Sequence, residues 1–119
     1  LGHIKNDDYL NMIYSASDIF VLSSRIDNLP LTGIEAQASG TPVVTFNYSG
    51  LPELIENKVT GTLAEPFCYK SLANEIMWSI EEERIKELSI KSRIRAENLW
   101  DKKIICNLYE KIFDDILSN

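Results

Sequence analysis

Residues 18–46 read DIFVLSSRIDNLPLTGIEAQASGTPVVTF. Asp18-Ile19-Phe20-Val21-Leu22 is an apolar run with β-branched and aromatic residues, and it ends at Ser23-Ser24. Pro42-Val43-Val44-Thr45-Phe46 is a second run of the same kind. Continuous runs of this length suit strands buried on both faces, as in a parallel sheet. Between them, Ser23 to Leu29 is polar and reads as a loop. Pro30 to Ser39 reads as a helix that stops at Gly40. Strand, loop, helix and strand in this order form a βαβ unit.

The flanking residues extend the pattern. Asp7 to Ser17 reads as an amphipathic helix with Leu10, Ile13 and Tyr14 on one face and Asp7 or Asp8 as its cap. Leu1-Gly2-His3 reads as the end of a strand that begins upstream, so the chain is expected to be a fragment. Downstream, Asn47-Tyr48-Ser49-Gly50 is a turn, Pro52 starts a short helix through Ile55-Glu56, and Thr60 to Ala64 is a short strand. The expected fold is α/β, a Rossmann-like parallel sheet with flanking helices and a helical C-terminus. Leu1-Gly2, Ile19 to Leu22, Val43 to Phe46 and Thr62-Leu63 are its expected neighbouring strands. Residues 1–119 are expected to form a single partial domain, with βα units in 1–64 and C-terminal helices in 65–119. In those helices Leu72, Ile76 and Ile80 lie four apart. Ile104, Leu108, Ile112 and Ile116 make one stripe, beside Ile105, Tyr109, Phe113 and Leu117.

Composition narrows the function. The 119 residues are 45% apolar and 25% charged, which fits one globular domain and excludes wholesale disorder. Twelve Lys and Arg against 18 Asp and Glu give a net charge of −6, a poor match to nucleic acid. One phosphorylated ligand held by backbone amides remains compatible with that charge. Cys68 and Cys106 are too few for a disulfide scaffold and read as reduced, partly buried thiols. No apolar run approaches the ~20 residues that span a bilayer. His3, the single histidine, reads as a loop or strand-end residue, Trp78 and Trp100 as packing residues, and Glu81-Glu82-Glu83 as a solvated helix start.

Chemistry concentrates between Ser23 and Gly40. Ligands of open parallel sheets bind outside the carboxyl ends of the strands, where this loop lies. Pro30 fits the first position of the helix, which leaves the N–H groups of Leu31, Thr32 and Gly33 free. A helix start carries roughly half a positive charge, so these amides can hold an anion without Lys or Arg. Asp27 lies eight residues before Glu35, and Glu35 lies four after Leu31. A carboxylate can grip a cis-diol such as a ribose. Spacing alone favours the structural reading, with Glu35 as an acid that stabilises an early helix turn and Asp27 as a cap or turn residue of the loop. Arg25 in the same loop is suited either to a phosphate or to solvent.

Resemblance shifts that balance. Ser23-Ser24, Asp27, Glu35-Ala36, Gly40-Thr41-Pro42-Val43-Val44, Gly50-Leu51-Pro52-Glu53 and Gly61-Thr62-Leu63 stand in the order and spacing of a known pattern. The chain resembles the C-terminal, donor-binding part of a retaining GT-B glycosyltransferase of family 4 (glycosyl transferases group 1). Asp27-Asn28-Leu29-Pro30 is similar to a subgroup that builds surface polysaccharide and lipopolysaccharide. Leu1-Gly2-His3-Ile4 resembles a strand end two elements earlier.

The resemblance implies transfer of a sugar from a nucleotide-sugar donor, such as a UDP- or GDP-sugar, to a glycan or lipid-linked acceptor. It implies that Glu35 holds the ribose, that Leu31, Thr32, Gly33 and Asn28 belong to the donor site, and that Asp27 stands at the catalytic acidic position. Arg25, Gly50 and Glu53 are further candidates, with Glu53 equally able to cap its own short helix. No metal and no cofactor beyond the nucleotide-sugar co-substrate are expected. A missing N-terminal domain, a cytoplasmic location at the inner face of the membrane and an inactive fragment are also implied. Two departures stand out. Asp27 replaces a usual Glu and is shorter by about 1.5 Å. Pro30 replaces a glycine and so removes one amide donor. The readings that compete are a non-catalytic α/β interaction module and another nucleotide-sugar enzyme such as an epimerase.

Overall fold

The computed structural model describes residues 1–118. Three strands, β1 (Phe20–Leu22), β2 (Val43–Phe46) and β3 (Gly61–Ala64), pair in parallel in chain order. Phe20 lies opposite Val43 and Leu22 opposite Thr45, while Val43 lies opposite Gly61 and Phe46 opposite Ala64. The helices are α1 (Asp7–Ser15), α2 (Leu31–Ala38), α3 (Tyr69–Ser79), α4 (Glu82–Trp100) and α5 (Lys102–Leu117), with a 3₁₀ turn at Leu51–Leu54. No described helix is long and apolar enough to cross a membrane.

Alternation along β2 explains the layering. All four of its residues are buried. Val43 joins Tyr14 of α1, Ala36 of α2, Leu54 and Ile55 in one apolar cluster. Phe46, on the opposite face, joins Leu51 and Ala64, with Leu72 of α3 packed against them. Helices therefore cover both faces, as the apolar runs predict.

Several expectations are corrected. Leu1-Gly2 is not a strand: Leu1 is 96% exposed and Gly2 has φ 70°. Strands exist through ladder partners, and among the described residues nothing pairs with the side of β1 away from β2. For the same reason β1 is not buried throughout, and Val21 is 39% exposed. The cap of α1 is Asn6, whose side chain accepts the Tyr9 N–H at 2.7 Å, rather than Asp7 or Asp8. Cys106 is exposed, whereas Cys68 caps α3 by accepting the Ser71 N–H. The apolar stripes of α5 are not among the corrections: expected to be partly uncovered, they stay largely open, with Leu108, Tyr109, Ile112, Phe113 and Ile116 all exposed.

Polar side chains of α4 close the amino end of the sheet. Ser89 donates to the carbonyl of Gly40 at 2.6 Å, and Ser92 to that of Thr60 at 2.8 Å, just before β2 and β3.

One buried group is left short. Gln37 of α2 is fully buried and donates to the Leu54 carbonyl at 2.9 Å and to the Gly33 carbonyl at 3.4 Å, but among the described residues its Oε1 has no partner. An orphaned buried acceptor costs about 1–3 kcal/mol, and Arg95 also donates to the same carbonyl. Gln37→Met, close in volume, is expected to leave stability unchanged or raise it by up to about 1 kcal/mol in urea unfolding. A loss above about 2 kcal/mol would show that the Gln37–Leu54 bond outweighs the orphan.

Candidate functional site

The loop after β1 carries the helix start expected of it, with one shift. Pro30 is the N-cap of α2, with φ −67° and ψ 128°, rather than the first helical residue. Its fixed φ suits both positions, and ψ decides between them. The Pro30 carbonyl then accepts the Gly33 N–H at 3.0 Å. Gly33 therefore does not offer a free amide. It is buried, and a Cβ there would stand 2.3 Å from Leu54 Cδ2, so its small size lets α2 approach the 3₁₀ turn. Among the described residues no acceptor meets the N–H of Leu31 or Thr32. These two remain the open donors of the helix start.

Glu35 lies one turn deeper and is half-buried. It lines a cleft of about 300 Å³ between α1 and α2, together with Leu10, Asn11 and Tyr14. Tyr14 donates its hydroxyl to Glu35 Oε2 at 3.3 Å. Burial, and then the neighbouring Glu35 charge, push the Tyr14 phenol above its ordinary value of 10.0. Tyr14 therefore keeps its proton at neutral pH and keeps donating. One Glu35 oxygen faces Tyr14, and the carboxylate still borders the open cleft.

Asp27 does not line that cleft. Its Oδ1 accepts the N–H of Asn28 at 3.0 Å, and its carbonyl accepts the Gly50 N–H at 2.9 Å. Asn28 is exposed, and its backbone lies directly against Gly50. Gly50 thus joins the loop after β1 to the loop after β2. Glu53 is set apart: its side chain is exposed and its carbonyl is held by Arg95 of α4 at 3.0 Å. Arg25 projects over the ring of Phe67, beyond β3.

Two participants escape a reading of the sequence alone. Tyr14 falls on the apolar stripe of α1 and reads as core, although a buried phenol asks for a hydrogen-bond partner. Phe67 follows Pro66 with no local feature that announces its place beside Arg25.

Residues 1–97 match the family described as Glycosyl transferases group 1. The chain is 30% identical over 102 residues to the Campylobacter jejuni N,N'-diacetylbacillosaminyl-diphospho-undecaprenol alpha-1,3-N-acetylgalactosaminyltransferase, covering 86% of this chain and 27% of that protein. Sucrose-phosphate synthase from Thermosynechococcus elongatus superposes with a TM-score of 0.90 at 28% identity, covering 99% of this chain and 30% of the other. Anabaena Alr3699/HepE in complex with UDP superposes with a TM-score of 0.76 at 25% identity, covering 90% and 29%. The chain thus spans less than a third of the length of each of these proteins.

Proposed function

The chain belongs to the glycosyl transferases group 1 family, which has the GT-B fold, and from that premise we propose that it forms the donor-binding part of a glycosyltransferase acting on a nucleotide-sugar. The observation that carries this reading is the Glu35 carboxylate at an open cleft, one turn from the free amides of Leu31 and Thr32. In this reading Glu35 accepts hydrogen bonds from the ribose hydroxyls, and Leu31 and Thr32 donate to the diphosphate. Asp27 sits beside the donor sugar.

Transfer passes through an oxocarbenium-like state as the diphosphate leaves. Charge then builds on the leaving oxygens, and donors already aimed at them stabilise it without reorganising. The helix start supplies those donors in an otherwise acidic chain, and the reaction so drawn calls on no metal. The similarity to HepE, solved with UDP, favours a uridine donor. A lipid-linked acceptor fits the diphospho-undecaprenol in the name of the Campylobacter relative, and surface polysaccharide assembly at the inner face of a membrane is part of the same proposal. Membership in family 4, retention of anomeric configuration, and inactivity of these residues without an acceptor-binding domain belong to the same proposal.

Glu35→Gln tests it. Glutamine can still accept from the Tyr14 hydroxyl, so the fold is kept. Loss of a charged acceptor should weaken UDP binding to the intact protein by about 1.5–3 kcal/mol in calorimetry. Unchanged affinity, or a large fall in stability, would make Glu35 a structural acid.

A further inference from the structure

Arg25 differs from the other arginines of the chain. Arg84 donates to the Trp78 carbonyl at 2.6 Å and pairs with Glu81 at 2.8 Å. Arg93 pairs with Glu97 at 2.6 Å and reaches the Ala38 carbonyl. Arg95 donates to the carbonyls of Glu53 and Leu54. Arg25 has no hydrogen-bond acceptor and no carboxylate partner among the described residues, in a chain with 18 acids against 12 bases. Asp27, two residues on, bonds the Asn28 N–H instead.

What Arg25 does meet is a ring. Its guanidinium carbon lies 5.3 Å from the centroid of Phe67. Phe67 is set in place by Phe46, at 5.8 Å and 60°, and by Tyr48, at 5.0 Å and 63°. The three segments involved all follow the carboxyl ends of strands: Arg25 lies three residues past β1, Tyr48 two past β2, and Phe67 three past β3. Phe67 holds φ 59°, a left-handed backbone that a bulky side chain disfavours. The ring remains 45% exposed, so burial alone is a weak return for that backbone. Strain of this kind at the end of a sheet points to a functional constraint.

We propose that Phe67 is a positioning residue that presents Arg25 to a phosphoryl oxygen of a nucleoside diphosphate. A ring takes up the face of a guanidinium and none of its N–H donors, so the planar fork stays available to an anion. The ring also limits the rotamers open to a long, exposed side chain, which lowers the ordering cost of binding. The inference rests on the donor-site reading above.

The test separates the two. Binding of UDP and GDP, each against its nucleoside, is measured on the intact protein and on Arg25→Gln, Phe67→Gly and Phe67→Tyr. Arg25→Gln should lower diphosphate affinity about tenfold and leave the nucleoside unchanged. Phe67→Gly, which relieves the left-handed backbone and deletes the ring, should lower it by about threefold or more while stability holds. Phe67→Tyr keeps a ring and should keep the affinity. If nucleoside and diphosphate affinities fall together, or if Phe67→Gly moves stability and not their ratio, Phe67 is structural and the proposal fails. Absence of nucleotide binding by the unaltered protein overturns the donor-site reading, and this inference with it.

Discussion

Gly61→Ala is expected to cost about 3 kcal/mol or more, a large share of what holds a domain of this size together. Gly61 opens β3 and lies opposite Val43 in the register with β2. A Cβ built there stands 2.2 Å from the Val43 carbonyl oxygen and 3.2 Å from two carbons of Ile55. The nearest atom is backbone in the central strand, not the end of a flexible side chain. Relief therefore requires β3 to move away from β2. That movement breaks the ladder and opens the packing around Ile55, which is buried. The urea midpoint should fall steeply for Gly61→Ala. A shift below about 1 kcal/mol would mean that the two strands do not approach this closely.

Much of this architecture is legible because the signals for it are local. The runs around Val43-Val44 and Phe20-Val21 carry β-branched and aromatic residues, and turn residues bound them. Whether a run is central or at an edge depends on what pairs with it across space, which the residues around Val21 and Leu1 do not reveal. Pro30 shows the finer limit. Its ring fixes φ and leaves ψ to the surroundings, so the sequence announces a helix start without saying which residue begins it. Gly33 and Gly50 are both candidate site residues, and packing requires each to be small. Gly33 is small to admit Leu54, and Gly50 to admit the Asn28 backbone. Glu35 is the reverse case. Spacing favours a structural acid, family resemblance favours a ribose ligand, and in the fold Glu35 borders the cleft beside Tyr14.

Gly50→Ala should produce the largest effect on turnover, with kcat/KM of the intact protein falling about 100-fold. A Cβ at this position would lie 2.0 Å from the Asn28 carbonyl oxygen and 2.5 Å from its carbonyl carbon and Cα. The backbone angle, φ −84°, suits alanine, so the cost is steric alone. Residues 27–28 must lift away, and the bond from the Gly50 N–H to the Asp27 carbonyl is lost with them. Asp27 then moves by an ångström or more relative to α2, while Glu35, lodged between α1 and α2, stays where it was. In the proposed site Glu35 meets the ribose and Asp27 the donor sugar. The substitution should therefore weaken a UDP-sugar more than UDP itself, and lower kcat more than it raises KM. If UDP and UDP-sugar affinities fell equally, the loop would be serving the nucleotide as a whole. Unchanged turnover would remove Asp27 from the chemistry, because no other contact among the described residues fixes its backbone to the neighbouring loop.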